Sequence, residues 1–264
     1  MRVIGRYPAD GGYGGPGPTL LAVADEEELF FHDDFKAPRS IYRLPRSGGP
    51  YAEAFTMSGR GTLVGLDEAN VYTLEEGPSL QLVAHERRGG GTTTLAVLPA
   101  GEGSPILGAL KEEELLVLRQ HANSASVLER HSVDGGTPSA PHLFAEGVID
   151  IAFEGEDPIA LERTGNGNGA DLVRVLRDGG AEVLRSMPLH ATQIAVGADS
   201  VVLVSRNCDP WLPPCKEMGE VYRVSLTSPQ QESLCRGRIS PLQVAMDGNV
   251  VYVRTSTGLL ELRP

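Results

Sequence analysis

The chain predicts an all-β fold, a six-bladed β-propeller of four-stranded antiparallel blades, and three observations predict it. A unit of strand, acidic turn and strand recurs six times. A Gly-Gly pair returns at nearly constant phase inside four of the units, and the last unit runs out before its fourth strand.

The units follow in order. The first reads Leu-Leu-Ala-Val (20–23), a turn over 25–28 and Leu-Phe-Phe (29–31). The second is Thr-Leu-Val-Gly-Leu (62–66), a turn over 67–70 and Val-Tyr-Thr-Leu (71–74), and the third pairs 106–110 with 115–118. The fourth pairs 149–153 with 159–161, the fifth 193–196 with 201–204, and the sixth 243–246 with 250–253. Measured between first turn residues the spacings are 42 (25 to 67), 44 (67 to 111), 43 (111 to 154), 43 (154 to 197) and 50 (197 to 247). That is the period of a four-stranded blade. The long interval contains a Cys- and Pro-rich loop, which accounts for the excess.

The second marker is Gly48-Gly49, Gly89-Gly90, Gly135-Gly136 and Gly179-Gly180, each following an apolar strand. Glycine supplies the positive φ of tight hairpins, so the pair marks the turn between third and fourth strands. One domain results, with blades over about 19–61, 62–103, 104–147, 148–189, 190–238, and 239–264 completed by 1–8. After Gly258-Leu259-Leu260-Glu261-Leu262-Arg263 the sixth unit has no fourth strand of its own. Arg2-Val3-Ile4-Gly5-Arg6-Tyr7 is expected to supply it, closing the ring and removing an exposed edge.

The quoted repeat resembles the bacterial six-bladed propellers of the TolB-like and YWTD-like type. The resemblance rests on Asp67 with Val71-Tyr72, Asp247 with Val251-Tyr252, and Ile41-Tyr42-Arg43-Leu44-Pro45-Arg46-Ser47-Gly48-Gly49. It implies the fold across the whole chain and no one activity, since many functions share this scaffold. The Tyr-Trp-Thr-Asp signature itself is not present.

Composition narrows the partners. Hydrophobic residues make up 41%, enough for a sizeable core, and the formal net charge is −12. Nucleic acid backbones and anionic membranes need basic footprints, so neither is expected as a partner. No apolar run approaches the roughly 18–20 residues of a membrane span, and the first residues lack the apolar stretch of a signal peptide. A cytoplasmic location follows as written, or a periplasmic or extracellular one after loss of a leader. The cysteines bear on that choice. Cys208 and Cys215 bracket a Pro-rich loop and suit a local disulfide, which favours an oxidising compartment; a bridge to Cys235 or three free thiols are the alternatives.

Where blades converge, chemistry would sit on the loops between second and third strands and on the entries to each blade. The repeat places His32, Asp33, Asp34, Glu75, Arg119, His121, Glu162, Arg163, Arg206, Asn207 and Arg254 there, with Arg60, Ser104, His190 and Thr192 at the entries. The carboxylates of Asp33, Asp34, Glu75 and Glu162 are hard oxygen ligands that could hold Ca²⁺. The arginines at the same level would neutralise them without a metal. His121 or His190 could serve as a base for lyase chemistry. Residues 164–171 have calcium-loop composition without its ligand order. The fifth-blade insertion carries Asp209 and the only tryptophan, Trp211, either a binding hot spot or a cover for its own blade. The expected function is a non-enzymatic module that presents this polar face and this loop to a protein or other ligand, with no cofactor. The alternative is a calcium-dependent hydrolase or lyase at the channel mouth.

Overall fold

The computed structural model describes residues 2–6, 20–21, 28–32, 40–45, 47–50, 52–98, 104–111, 113–120, 125–133, 141–144, 147–154, 157–164, 169–188, 191–197, 199–206, 219–237, 241–247, 249–255 and 258–263. Strand β1 (Arg2–Arg6) precedes the first complete blade, which is β2 (Leu20–Leu21), β3 (Glu28–His32), β4 (Ser40–Pro45) and β5 (Ala52–Thr56). The second blade is β6 (Arg60–Leu66), β7 (Asn70–Glu76), β8 (Leu80–Glu86) and β9 (Thr92–Leu98). The third is β10 (Ser104–Lys111), β11 (Glu114–Gln120), β12 (Ser126–Ser132) and β13 (His142–Phe144). The fourth is β14 (Val148–Glu154), β15 (Asp157–Arg163), β16 (Gly169–Val175) and β17 (Ala181–Pro188). The fifth is β18 (Ala191–Val196), β19 (Ser200–Arg206), β20 (Gly219–Ser225) and β21 (Gln231–Gly237). Then β22 (Pro241–Asp247), β23 (Val250–Thr255) and β24 (Gly258–Leu262) form the sixth sheet, whose fourth strand is β1.

All six sheets are four-stranded and antiparallel, the blades of a six-bladed β-propeller. The expected completion of the last blade holds: β1 pairs β24 through Arg2↔Glu261, Val3↔Leu260, Gly5↔Leu259 and Arg6↔Gly258. The chain divides into two compact units, one of 1–11, 146–176 and 180–264, the other of 12–145 and 177–179. The first unit holds the fourth to sixth blades, the second the first three.

Second strands are buried on both faces, so they read as continuous apolar runs. Leu115 to Leu118 are each at most 1% exposed, and Val201 to Val204 are each 0% exposed. The acidic turn has a local cause. Asp67 Oδ1 accepts hydrogen bonds from the backbone N–H of Ala69 (2.8 Å) and Asn70 (2.7 Å), closing an Asx turn between β6 and β7. Tyr72 Oη donates to the other carboxylate oxygen. The expected hairpin glycines adopt positive φ at Gly48 (90°), Gly49 (135°), Gly90 (71°) and Gly179 (85°); Gly135-Gly136 lies outside the described residues.

The arginine of the third strand also repeats. Arg43, Arg130, Arg174 and Arg223 stand opposite Phe30, Leu116, Ile159 and Val202, at one register position in four blades. Arg130 Nη1 lies 2.9 Å from Glu114 and Arg174 Nη1 3.4 Å from Glu182, each within its own sheet. Arg223 Nη2 donates to Asn249 O at 3.3 Å and so ties the fifth blade to the sixth. The motif that carries the family resemblance therefore contributes to packing.

Candidate functional site

Where the second strand ends, the repeat sets a polar residue at one register position: Glu75, Arg119, Glu162, Ser205 and Thr255 in the second to sixth blades. Four of these are buried: Glu75 (4% exposed), Arg119 (3%), Ser205 (7%) and Thr255 (3%). Burying such groups requires partners, and the sheets supply them.

Glu75 on β7 is the most enclosed carboxylate of this set. Its Oε2 accepts the Ser58 backbone N–H at 2.9 Å and the Ser58 hydroxyl. Its Oε1 lies 2.9 Å from Thr73 Oγ1 and 3.0 Å from His85 Nε2, and those two atoms are 2.8 Å apart. An ionised carboxylate only accepts, so Nε2 of His85 carries the proton. The Phe55 ring stacks on His85, centroids 4.1 Å apart and planes 7° from parallel. Burial alone would raise the Glu75 pKa, but the hydrogen bonds from His85, Ser58 and Thr73 outweigh it and hold the group down to about 2. Gly59 lets the backbone reach this position: a Cβ there would stand 2.3 Å from Glu76 O.

The third blade holds a second cluster at the same level. Arg119 Nε donates to Glu129 Oε2 at 2.9 Å, and His131 Nε2 lies 3.0 Å from the same oxygen. Burial pushes the Glu129 carboxyl up; Arg119 and His131 overcome that and leave it below the usual range. His85 and His131 occupy one register position, opposite Val71 and Leu115.

These clusters are poorly suited to proton transfer near neutral pH. A general base works best when its pKa lies near the operating pH, and Glu75 sits far below it with both oxygens engaged. What the geometry does well is clamp: Glu75 joins β7, β8 and the entry to β6 in one buried network.

The fourth blade differs. Asp171 on β16 stands opposite Glu162 on β15 and opposite Ser186 on β17. Its Oδ1 is buried and accepts no hydrogen bond among the described residues. Two carboxylates directly opposite each other repel unless a proton or a cation intervenes.

The other expected site residues are distributed as follows. His32 pairs with Ile41 in the ladder. Arg163 ends β15 and is exposed, and Arg206 ends β19 opposite Gly219. Asp33, Asp34, His121, His190, Asn207, Cys208, Asp209, Trp211 and Cys215 lie outside the described residues, and the expected disulfide with them. Cys235 lies half-buried on β21. Among the described residues the structure brings Glu75 together with Ser58, Thr73 and His85, and Arg119 with Glu129 and His131. Among the described residues, no group of three or more His, Cys, Asp or Glu side chains is arranged to hold a metal ion.

No protein-family model matches the chain, and no curated protein matches it. Solved structures do. A protein of unknown function from Bacteroides thetaiotaomicron is 11% identical with a TM-score of 0.67, covering 99% of this chain and 75% of its own. A chain of a nidogen–laminin complex is 15% identical over 82% of each chain, TM-score 0.56. Oligogalacturonate lyase from Vibrio parahaemolyticus is 11% identical over 93% of this chain and 88% of its own, TM-score 0.55. At these identities the likeness is one of fold, and the fold it shows is the propeller.

Proposed function

We propose that this propeller is a non-enzymatic binding module, presenting the loop end of its second strands and the fifth-blade insertion to a protein partner. One observation carries the reading. Glu75 and Arg119, charged groups that a convergent catalytic set would draw on, are buried and committed to partners within their own sheets. The insertion, with Asn207, Asp209 and Trp211 following Arg206, is the chief departure from the repeat in the sequence and carries the only tryptophan, a residue type enriched at binding hot spots. The test is affinity capture with the intact chain against Trp211→Ala and against Cys208→Ser/Cys215→Ser. Loss of a captured partner in either variant supports the module; retention of every partner overturns it.

A second reading is favoured by Asp171. With Glu162 opposite and its own Oδ1 without a donor among the described residues, it would suit a hard cation such as Ca²⁺. This would serve a hydrolase or lyase, and the lyase among the structural neighbours is a catalyst on the same scaffold. Calcium titration followed by thermal melting, with a screen of lactones and esters, tests it. Absence of both a melting shift and turnover removes this reading.

A further inference from the structure

The first strands of the fourth, fifth and sixth blades pack side by side, β14 against β18 and β18 against β22. Each carries a bulge, at Ile149, Thr192 and Leu242, and a polar residue directly after it: Asp150, Gln193 and Gln243. The third blade has the same bulge, at Ile106, followed by Leu107. A polar side chain is therefore not what the bulge itself requires. Asp150 and Gln193 are both half-buried. Asp150 divides its oxygens between the backbone N–H groups of Ile151 and Ile194, one each, so each oxygen keeps a lone pair that can accept. Gln193 makes no side-chain hydrogen bond among the described residues. No Lys, Arg or His occurs on β14, β18 or β22. The charged residues of the neighbouring strands are Asp157, Glu162 and Arg163 on β15, Arg206 on β19, and Arg254 opposite Gln243 on β23. Among the described residues none of them bears on the Asp150 carboxyl, whose pKa of about 7 reflects burial, opposed by the two backbone donors.

We propose that Asp150 and Gln193 form a binding site for a small primary amine, the Asp150 carboxylate and the Gln193 amide oxygen each accepting an N–H from its ammonium group. Charge selects the ligand. A carboxylate withdrawn from water takes up either a proton or a counter-charge, and the three first strands supply no cation. The net charge of −12 likewise favours a cationic ligand over an anionic one. One carboxylate balances one positive charge. Calcium would ask for roughly six to eight oxygen ligands, whereas an ammonium needs only acceptors for its three N–H bonds. Half-buried Ala152, two residues along β14 and so on the face of Asp150, offers apolar contact to the amine's carbon chain. Binding requires the ionised carboxylate. With a carboxyl pKa of about 7 the apparent Kd falls about tenfold between pH 6 and pH 8, while an alkylamine, like the lysine side chain at about 10.4, stays protonated throughout.

Calorimetric titration of the full chain with n-butylammonium chloride at pH 6, 7 and 8, at constant ionic strength, is the test. Butan-1-ol and calcium chloride are the uncharged and divalent comparators. The expected result is saturable binding of the amine that tightens about tenfold from pH 6 to pH 8 and releases a proton, seen as a heat that varies with the ionisation enthalpy of the buffer. Asp150→Asn abolishes both the binding and its pH dependence. Gln193→Leu leaves the backbone bonds of Asp150 in place, so it serves even where Asp150→Asn fails to fold; it weakens binding about tenfold at pH 8 and keeps the pH profile. No saturable binding of the amine by the wild type, binding indifferent to pH, butanol or calcium bound as tightly as the amine, or a Gln193→Leu protein that binds like the wild type overturns the proposal.

Discussion

His85 and Glu75 meet across β8 and β7 with Nε2 3.0 Å from Oε1, both side chains buried. The pair completes four hydrogen bonds on one carboxylate, and this determines what a substitution does. In Glu75→Gln the amide must turn its NH₂ toward either Ser58 or the Thr73–His85 pair, facing donors where the carboxylate accepted. The expected loss is roughly 2–3 kcal/mol at pH 7, the cost of leaving buried donors without an acceptor. The acid limb changes as well. A folded pKa near 2, below the ordinary 4.5, means that the carboxylate's contribution is complete above about pH 4.5 and is lost as pH falls toward 2. Urea midpoints of the two proteins should therefore converge across that window. An equal gap at pH 7 and pH 3 would refute the account.

Gly59 controls how closely the chain approaches that network. A Cβ at this position would lie 2.3 Å from Glu76 O, a backbone atom that cannot swing aside. Gly59→Ala is expected to cost on the order of 2 kcal/mol and to lengthen the Ser58–Glu75 contact. The two effects separate in a double variant: once Glu75→Gln has weakened the contact, adding Gly59→Ala should cost less than it does alone. Additive losses would show that the glycine acts elsewhere.

The architecture was legible in the sequence because each blade restates its register. The acidic turn at Asp67 and the glycines at 48–49, 90 and 179 are local signals, and local chemistry decides them. The partners of Glu75 and Arg119 were not legible by the same route. Which residue faces which across β7–β8 and β11–β12 depends on the connecting loop, which spans 77–79 in one blade and 121–125 in the next. Counted forward from Glu75 and Arg119, across the loop, His85 and His131 fall out of phase, ten and twelve residues on. Counted back from Gly89 and Gly135 they coincide, four residues ahead of each. The hairpin end of the blade keeps the register that the loop end obscures.

Asp150 links two blades and titrates in the opposite sense to Glu75. Its Oδ1 accepts the Ile151 backbone N–H at 3.0 Å, and its Oδ2 accepts that of Ile194 on β18 at 2.9 Å. Burial pushes the carboxyl up to about 7 in spite of those two donors. A folded pKa raised above 3.8 means that the folded chain retains a proton the unfolded chain has released. Asp150 thus favours folding most at low pH and progressively less as pH rises from about 4 to about 7. Asp150→Asn removes that slope. Melting temperatures of the two proteins at intervals between those values should show the wild type losing ground to the variant as pH rises; parallel profiles would count against the assignment.

Removing residues 1–6 tests the completion of the sixth blade. Without β1, β24 loses its partners Arg2, Val3, Gly5 and Arg6, and its edge, which includes Leu260 and Leu262 (8% and 5% exposed), is opened. Each ladder hydrogen bond contributes about 1 kcal/mol net, and the uncovered leucines add to the loss. A deficit of several kcal/mol corresponds to a melting temperature lower by roughly 10 °C in a domain of this size. The freed edge should also make the truncated chain aggregate with rising concentration. Restoring residues 1–6 as a separate peptide should recover part of the melting temperature in proportion to its excess. A peptide carrying Val3→Pro should not, because proline at that site has no N–H and blocks extension of the ladder. Equal rescue by both peptides would mean that the N-terminal segment stabilises the fold by some contact other than pairing with β24.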